Sequence, residues 1–276
     1  MKYEILQDVQ IPKIGCGSAR LGGKFVGGIL PDRSHDEFYL PALRSAIDLG
    51  YRHFDSAELY GGGHAEELIG RAIHESGVKR DTLFITTKIW PTHLSYKNVL
   101  KSCENSLRRL ETDYLDLYLI HWPNPLVPLK ETFRAFNQLV REGRVRHVGV
   151  SNFNVKRIKE AQSLSETPLF ANQIPYSLTQ RAYEKNGTLD YCRKNNLLVI
   201  GYKPINHGHI APEGALQAIA EAHHATPHQI ALAWLVNQPR VIAIPMSFNP
   251  SHQKDNLEAA DIELTPDEMN RLNGSA

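Results

Sequence analysis

Four segments rich in β-branched and aromatic residues begin at Arg52 (RHFDSA), Leu83 (LFITTK), Tyr114 (YLDLYLI) and Val145 (VRHVGV), each starting 31 residues after the one before. That period is the size of a strand plus its returning helix. The stretches between carry helical spacing. Val99, Cys103, Leu107 and Leu110 recur at i, i+4, i+8 and i+11, and Phe133, Phe136, Leu139 and Val140 line one face of the next. Further short strands read at Ile14 to Gly17, Leu169 to Gln173, Leu197 to Tyr202 and Val241 to Ile244. Eight strands alternating with helices over about 250 residues predict an α/β chain folded as a single (β/α)8 TIM barrel. Residues 1–276 are expected to form one such domain, because no low-complexity tract or Ser/Pro linker divides them. A short N-terminal hairpin should precede Ile14, and a short tail should close the chain.

Punctuation agrees with this layout. Ser34 to Glu37 reads as a capping box, Gly50, Gly77 and Gly143 as helix stops, and Thr226-Pro227 as an N-cap followed by its first helical residue. Pro41 falls inside the first helical pattern, and HGHIAPEG (207–214) reads as a loop.

The formal net charge is +1, with basic and acidic groups mixed along the chain. That balance gives no electrostatic attraction for nucleic acid or an anionic membrane. Cys16, Cys103 and Cys192 form no C-x-x-C pair and, being three, cannot all pair within the chain, so a reducing cytoplasm is the expected compartment. The opening MKYEILQDVQIPKIG has no unbroken apolar run, and no stretch approaches the roughly 18 apolar residues of a membrane span. A cytoplasmic monomer acting on a small molecule is expected. The histidines of EAHHATPH (221–228) do not read as a metal site. Pro227 starts a helix between His224 and His228 and separates their faces, which leaves them as solvated surface.

In a barrel of this kind the residue just past each strand faces the mouth where ligands bind. Those positions are Asp55, Lys88, His121, Ser151 with Asn152, Gln173, Tyr202 and Ser247, all polar, and Tyr60 follows Asp55 by five residues. Together they suit proton transfer. Tyr60 would be the acid, Lys88 would lower its pKa, Asp55 would keep Lys88 charged and oriented, and His121 would steer a carbonyl oxygen. A tyrosine starts near pKa ~10 and has to fall by roughly two to three units, about 3 to 4 kcal/mol. One cation about 4 Å away supplies about 4 kcal/mol at an effective dielectric near 20, so Lys88 would suffice.

The same residues sit inside longer runs: YRHFDSAELYGG (51–62), ITTKIWP (85–91), LYLIHWP (117–123), GRVRHVGVSNF (143–153), NQIPY (172–176) and IPMSFNPSHQKDNLEA (244–259). In this order and spacing they resemble the aldo-keto reductase family nearly end to end. The resemblance implies reduction of aldehydes or ketones to alcohols, with a nicotinamide cofactor extended across the barrel mouth and no Rossmann fingerprint. By the same resemblance Asp55, Tyr60, Lys88 and His121 form a catalytic tetrad, in which Tyr60 protonates the oxygen as hydride reaches the carbonyl carbon. Ser151, Asn152 and Gln173 would hold the carboxamide, and Tyr202 would stack on the nicotinamide. Trp90 and Trp122 would line the substrate pocket, and Ser247 and Asn256 would serve the adenine end. No metal is implied.

Two departures from the family pattern bear on specificity. Family members carry Lys after Ile-Pro at the eighth strand and Arg six residues later, both on the 2'-phosphate of NADPH; here Met246 and His252 stand there. Charge-assisted contacts worth about 1.5 to 3 kcal/mol each are lost or weakened. NADP(H) remains the expected cofactor only narrowly over NAD(H), with Lys203 and Lys254 as candidate replacement charges. Near the start Ser18-Ala19 replaces a Thr-Trp pair, which should widen the pocket, and Lys24 is a candidate contact for an anionic substrate.

Two other functions fit parts of the pattern. A Schiff-base lyase using Lys88 needs a lysine that loses its proton, which Asp55 opposes. A nicotinamide-binding sensor or accessory subunit would keep the site without significant turnover, and the intact tetrad argues against it.

Overall fold

The computed structural model describes residues 2–23, 31–208 and 214–274. An antiparallel hairpin opens it, with β1 (Tyr3–Leu6) paired to β2 (Val9–Pro12). Then come β3 (Cys16–Gly17), β4 (His53–Asp55), β5 (Phe84–Ile89), β6 (Leu115–Ile120), β7 (Val145–Ser151), β8 (Ala171–Pro175), β9 (Leu198–Tyr202) and β10 (Val241–Ala243). These eight lie side by side in chain order, all parallel. The sheet curls until its edges meet. Ile14 bridges Ala243, Gly15 N donates to Ala243 O at 2.8 Å, and Gly17 N donates to Pro245 O at 3.0 Å. Closure satisfies backbone groups that an open edge would expose.

Every residue of β5 and β6 is buried, as expected of strands covered on both faces. Alternation sorts the strand residues into two cores. Phe84, Leu117, Leu119, Phe170, Ile200 and Ile242 gather inside the barrel with Leu6 and Ile11 of the hairpin, which plugs the end where the strands begin. Ile85, Tyr118, Val148 and Val150 instead pack against surrounding helices such as α2 (His64–Ser76), α3 (Tyr96–Arg109) and α4 (Leu129–Arg141). Side chains two apart share a face, so Asp55, Lys88, His121, Ser151, Gln173 and Tyr202 fall in the inward register, at the ends where the strands finish.

All eight predicted strands are present, with ends shifted by one or two residues. Gly50 and Gly77 close helices at φ 104 and 69, and Thr226 with Gln229 forms a reciprocal capping box at α9 (Pro227–Val236). The capping box expected at Ser34 is absent. The first α-helix starts at Asp36, and Ser34 donates from its backbone N and its Oγ to Asp32 Oδ1, an Asx-type turn that competes with the cap. Pro41 sits within this helix and removes one of its backbone donors. Most of the predicted loop around residue 210 lies outside the described residues, as does Lys24.

Strand β7 passes closest to its neighbours at Gly149. A Cβ there would meet Ala171 O at 2.6 Å and the Leu119 side chain at 2.8 Å. Gly149→Ala is therefore expected to destabilise the fold by about 2 to 3 kcal/mol. The midpoint of thermal unfolding should fall by about 4 to 12 °C. An unchanged midpoint would show that the spacing between β7 and β8 is adjustable.

Candidate active site

Strand register brings the predicted acid, base and amide groups to one place. Lys88 Nζ donates to Asp55 Oδ1 and to Ser56 O, both at 2.6 Å, and neither charged side chain has appreciable exposure. Gln173 Nε2 donates to the second Asp55 oxygen at 2.7 Å, and Ser18 Oγ to the Asp55 carbonyl at 2.8 Å. Tyr60 follows on a short turn whose Gly61 and Gly62 hold φ of 57 and 62, and a Cβ at Gly61 would strike Gly22 O. That turn folds the phenol back over the barrel. Lys88 Nζ lies 5.1 Å from the Tyr60 ring centroid. The His121 ring meets Tyr60 edge-on at 5.7 Å and Trp90 edge-on at 5.6 Å.

The amide cluster beside the tetrad is equally connected. Ser151 Oγ donates to Gln173 O at 2.9 Å. Asn152, in the left-handed region at φ 62, donates to His121 O at 3.1 Å and to Ser151 Oγ at 2.9 Å. Tyr202 OH donates to Asn152 Oδ1 at 2.8 Å.

Burial decides the charge states. It raises the Asp55 carboxyl, against the pull of Lys88 and Gln173. It also disfavours the Lys88 charge, but Asp55 and Tyr60 outweigh it and hold the ammonium above its ordinary value. For Tyr60 the expectation needs correction. Loss of water raises the phenol, the Lys88 cation draws it down and Asp55 raises it again, so the net direction is up and Tyr60 keeps its proton at neutral pH. The cation alone would lower the phenol; the desolvation that accompanies it reverses the direction. His121 is pushed down to about 3, first by burial and then by Lys88, so its imidazole is neutral.

Asp55, Tyr60 and His121 line a cavity of about 850 Å³, and Ser247, His252 and Asn256 line the same cavity. Asn152, Gln173, Tyr202 and Trp122 also border it. Lys88 and Ser151 lie beneath the surface. Trp90 borders a second cavity of about 580 Å³ and meets the tetrad at the His121 ring. Of the two candidate replacement charges, Lys203 lines the main cavity, as Met246 does, whereas Lys254 lies outside it, 3.7 Å from Glu258. His228, expected at solvated surface, is exposed and borders the cavity with Thr226 and Gln229 at the start of α9. Sequence reasoning also missed Arg20 and Ile205 as lining residues; both sit on loops whose direction no periodicity reveals. Among the described residues no group of three His, Cys, Asp or Glu side chains could hold a metal ion, and no helix is long and apolar enough to cross a membrane.

Comparison with known proteins matches residues 13–276 to the model of the aldo/keto reductase family. This chain belongs to the aldo/keto reductase family. It is 36% identical over 233 residues to the glyoxal reductase of Bacillus subtilis (strain 168), spanning 84% of this chain and 81% of that protein. The crystal structure of the thermostable aldo-keto reductase Tm1743 with the inhibitor epalrestat superposes with a TM-score of 0.95 at 43% identity, covering 100% of both chains. An aldo-keto reductase from Klebsiella pneumoniae in complex with NADPH gives 0.86 at 33% identity, covering 100% of this chain and 95% of that one. This aldo/keto reductase is an NAD(P)H-dependent oxidoreductase that reduces carbonyl groups.

Two buried imidazoles give the reductase a specific acid response. His53, inside the barrel, is pushed from 6.5 to about 3 by burial and by Lys88, as His121 is. Their folded values lie below the unfolded one, so below about pH 6.5 the unfolded chain binds more protons and stability falls as pH drops toward 3. Each histidine should contribute a slope of about 1.4 kcal/mol per pH unit below about pH 6. Urea unfolding at stepped pH would measure it, and His121→Asn should remove about one proton from the slope. An unchanged slope would contradict the neutral assignment.

Proposed function

We propose that the chain reduces small aldehydes and ketones with NADPH, using Tyr60 as general acid, as a single-domain cytoplasmic monomer. The observation that carries the assignment of roles is the Lys88–Asp55 pair buried beneath the Tyr60 ring, with a neutral His121 edge-on to that ring. A nicotinamide cofactor fits the residues present. One cavity is lined by Asp55, Tyr60 and His121 of the tetrad, by the carboxamide-type partners Asn152 and Gln173, and by Ser247, His252 and Asn256. When bound, the cofactor supplies the hydride.

The chain's own groups do the rest. His121, being neutral, offers an N–H to the carbonyl oxygen and carries no proton acidic enough to compete with the phenol. Tyr60 donates its proton to that oxygen, and Lys88 stabilises the resulting phenolate across a site shielded from water. Asp55 keeps Lys88 charged and aimed. Gln173 and Ser18 fix Asp55 in turn. Tyr202 would stack on the nicotinamide, and its hydroxyl is held by Asn152.

Small α-oxoaldehydes of the glyoxal type are the first substrates to test, given the relative named above. Lys203 supports NADPH over NADH, because it offers positive charge in the cavity that Met246 also lines, where the family's lysine is missing. Tyr60→Phe should lower kcat by about 100- to 10,000-fold with cofactor affinity retained. Retention of wild-type turnover by this variant would remove Tyr60 from the mechanism. Lys203→Ala should reduce kcat/KM for NADPH about tenfold and leave NADH nearly unchanged. Equal losses with both cofactors would assign Lys203 no part in phosphate recognition.

A further inference from the structure

The imidazole of His121 has an orienting role in the proposed mechanism, yet no side-chain hydrogen bond fixes it among the described residues. Its Nδ1 is buried without a partner. What holds the ring is packing: T-shaped contacts with Tyr60 and with Trp90, at interplanar angles of 84° and 79°. Tyr60 is the reacting acid, so the fixed support is Trp90. Whatever fixes Trp90 sets the angle of His121.

The loop after β5 is tied from both sides. Trp90 N donates to Glu58 Oε1, and Glu58 N in turn donates to Lys88 O at 3.1 Å. The same Glu58 oxygen lies 3.0 Å from His93 Nδ1. Trp90 O accepts from His93 N at 2.9 Å, and Pro91 O accepts from Asn124 Nδ2 at 2.8 Å. Pro91 has no N–H, so every polar backbone group of the Trp90-Pro91 pair is bound. Glu58 belongs to the segment that carries Asp55 and Tyr60, and its side chain is only 9% exposed. Asn124 belongs to the loop that carries His121 and Trp122, and its own Oδ1 accepts from Leu126 N at 2.9 Å.

We propose that Glu58 and Asn124 are positioning residues that clamp the Trp90-Pro91 segment from its two flanking loops and, through the indole, hold His121 at the angle from which it meets the carbonyl oxygen. The inference rests on the reductase reading. A charged acceptor in a nearly dry site binds a backbone N–H more strongly than a neutral one, so Glu58 is the dominant side of the clamp. A tilt of the imidazole would misplace the carbonyl relative to the hydride donor without touching the cofactor site.

The test measures kcat/KM for glyoxal and Kd for NADPH in wild type, Glu58→Ala, Glu58→Gln, Asn124→Ala, Trp90→Ala and the Glu58→Ala/Trp90→Ala double variant. Glu58→Ala should lower kcat/KM about tenfold with Kd changed by less than about twofold. Asn124→Ala should act in the same direction; it is only half-buried and carries the test if Glu58→Ala fails to fold. Glu58→Gln should recover to within about threefold of wild type, because its amide oxygen still accepts from Trp90 N. In the Trp90→Ala background, adding Glu58→Ala should cost less than about twofold, since no ring remains to be held. Additive losses in the double variant, or a fall in NADPH affinity equal to the fall in kcat/KM, would overturn the clamp as a simple structural brace. An active wild type with indifferent Glu58 and Asn124 variants would overturn the clamp alone, whereas a wild type that binds NADPH but reduces no aldehyde would overturn the reductase reading and the clamp with it.

Discussion

A lysine ammonium wholly removed from water is the constraint around which this barrel mouth is arranged. Burying one ion costs several kcal/mol even after relaxation, and the cost is met only if each donor and lone pair finds a partner. Lys88 has three N–H donors; two go to Asp55 Oδ1 and Ser56 O, which leaves the third for the side occupied by Tyr60. Asp55 is completed from across the barrel by Gln173, 118 residues away in sequence. Only a closed sheet brings strands so distant in sequence to one point while keeping their side chains in register. An apolar pair of the same volume would be as stable or more so, which makes chemistry the better explanation for the ion pair than stability.

That one positive charge divides the labour between its neighbours. Adding to the larger effect of burial, it lowers His121 and keeps the imidazole neutral, able to donate a hydrogen bond but not to act as a cationic acid. It also draws the Tyr60 phenol down against the larger opposing effect of burial. In the proposed mechanism, the phenolate left after proton donation would stand unpaired in a dry site without Lys88. Without burial the cation would be screened and worth about a quarter as much, by the ratio of an effective dielectric near 20 to that of water. The two effects oppose each other in the pKa of Tyr60 and reinforce each other in the stabilisation of its anion.

Much of this was readable in the sequence because residues at the strand ends of such a barrel face its mouth. The strand ends lie one or two residues from where they were expected, yet the two-residue alternation of the folded strands still turns Asp55, Lys88, His121, Ser151 and Gln173 to the same interior. The less readable features depend on side chains that reach across chain segments. Ser34 chose an Asx turn over a cap, Trp90 was turned onto His121 rather than into the main cavity, and Glu58 accepts from Trp90 N on another loop. The raised phenol of Tyr60 was hidden for a related reason: desolvation depends on everything packed around a group, whereas a charge partner can be read from a neighbouring strand.

The cofactor end shows the limit of such reading and also a way past it. Met246 and His252 remove the family's usual charges, and sequence alone could not choose between Lys203 and Lys254. Backbone conformation separates them. Lys203 stands at φ 53, immediately after the end of β9, where glycine would sit without the steric penalty of a Cβ. A left-handed conformation costs an ordinary L-residue roughly 1 to 2 kcal/mol. It persists where the side chain contributes something that glycine could not, and here the turn carries Lys203 to the wall of the cavity that Met246 also lines. Lys254, on the exposed face of its helix and near Glu258, bears no such cost and reaches no such place.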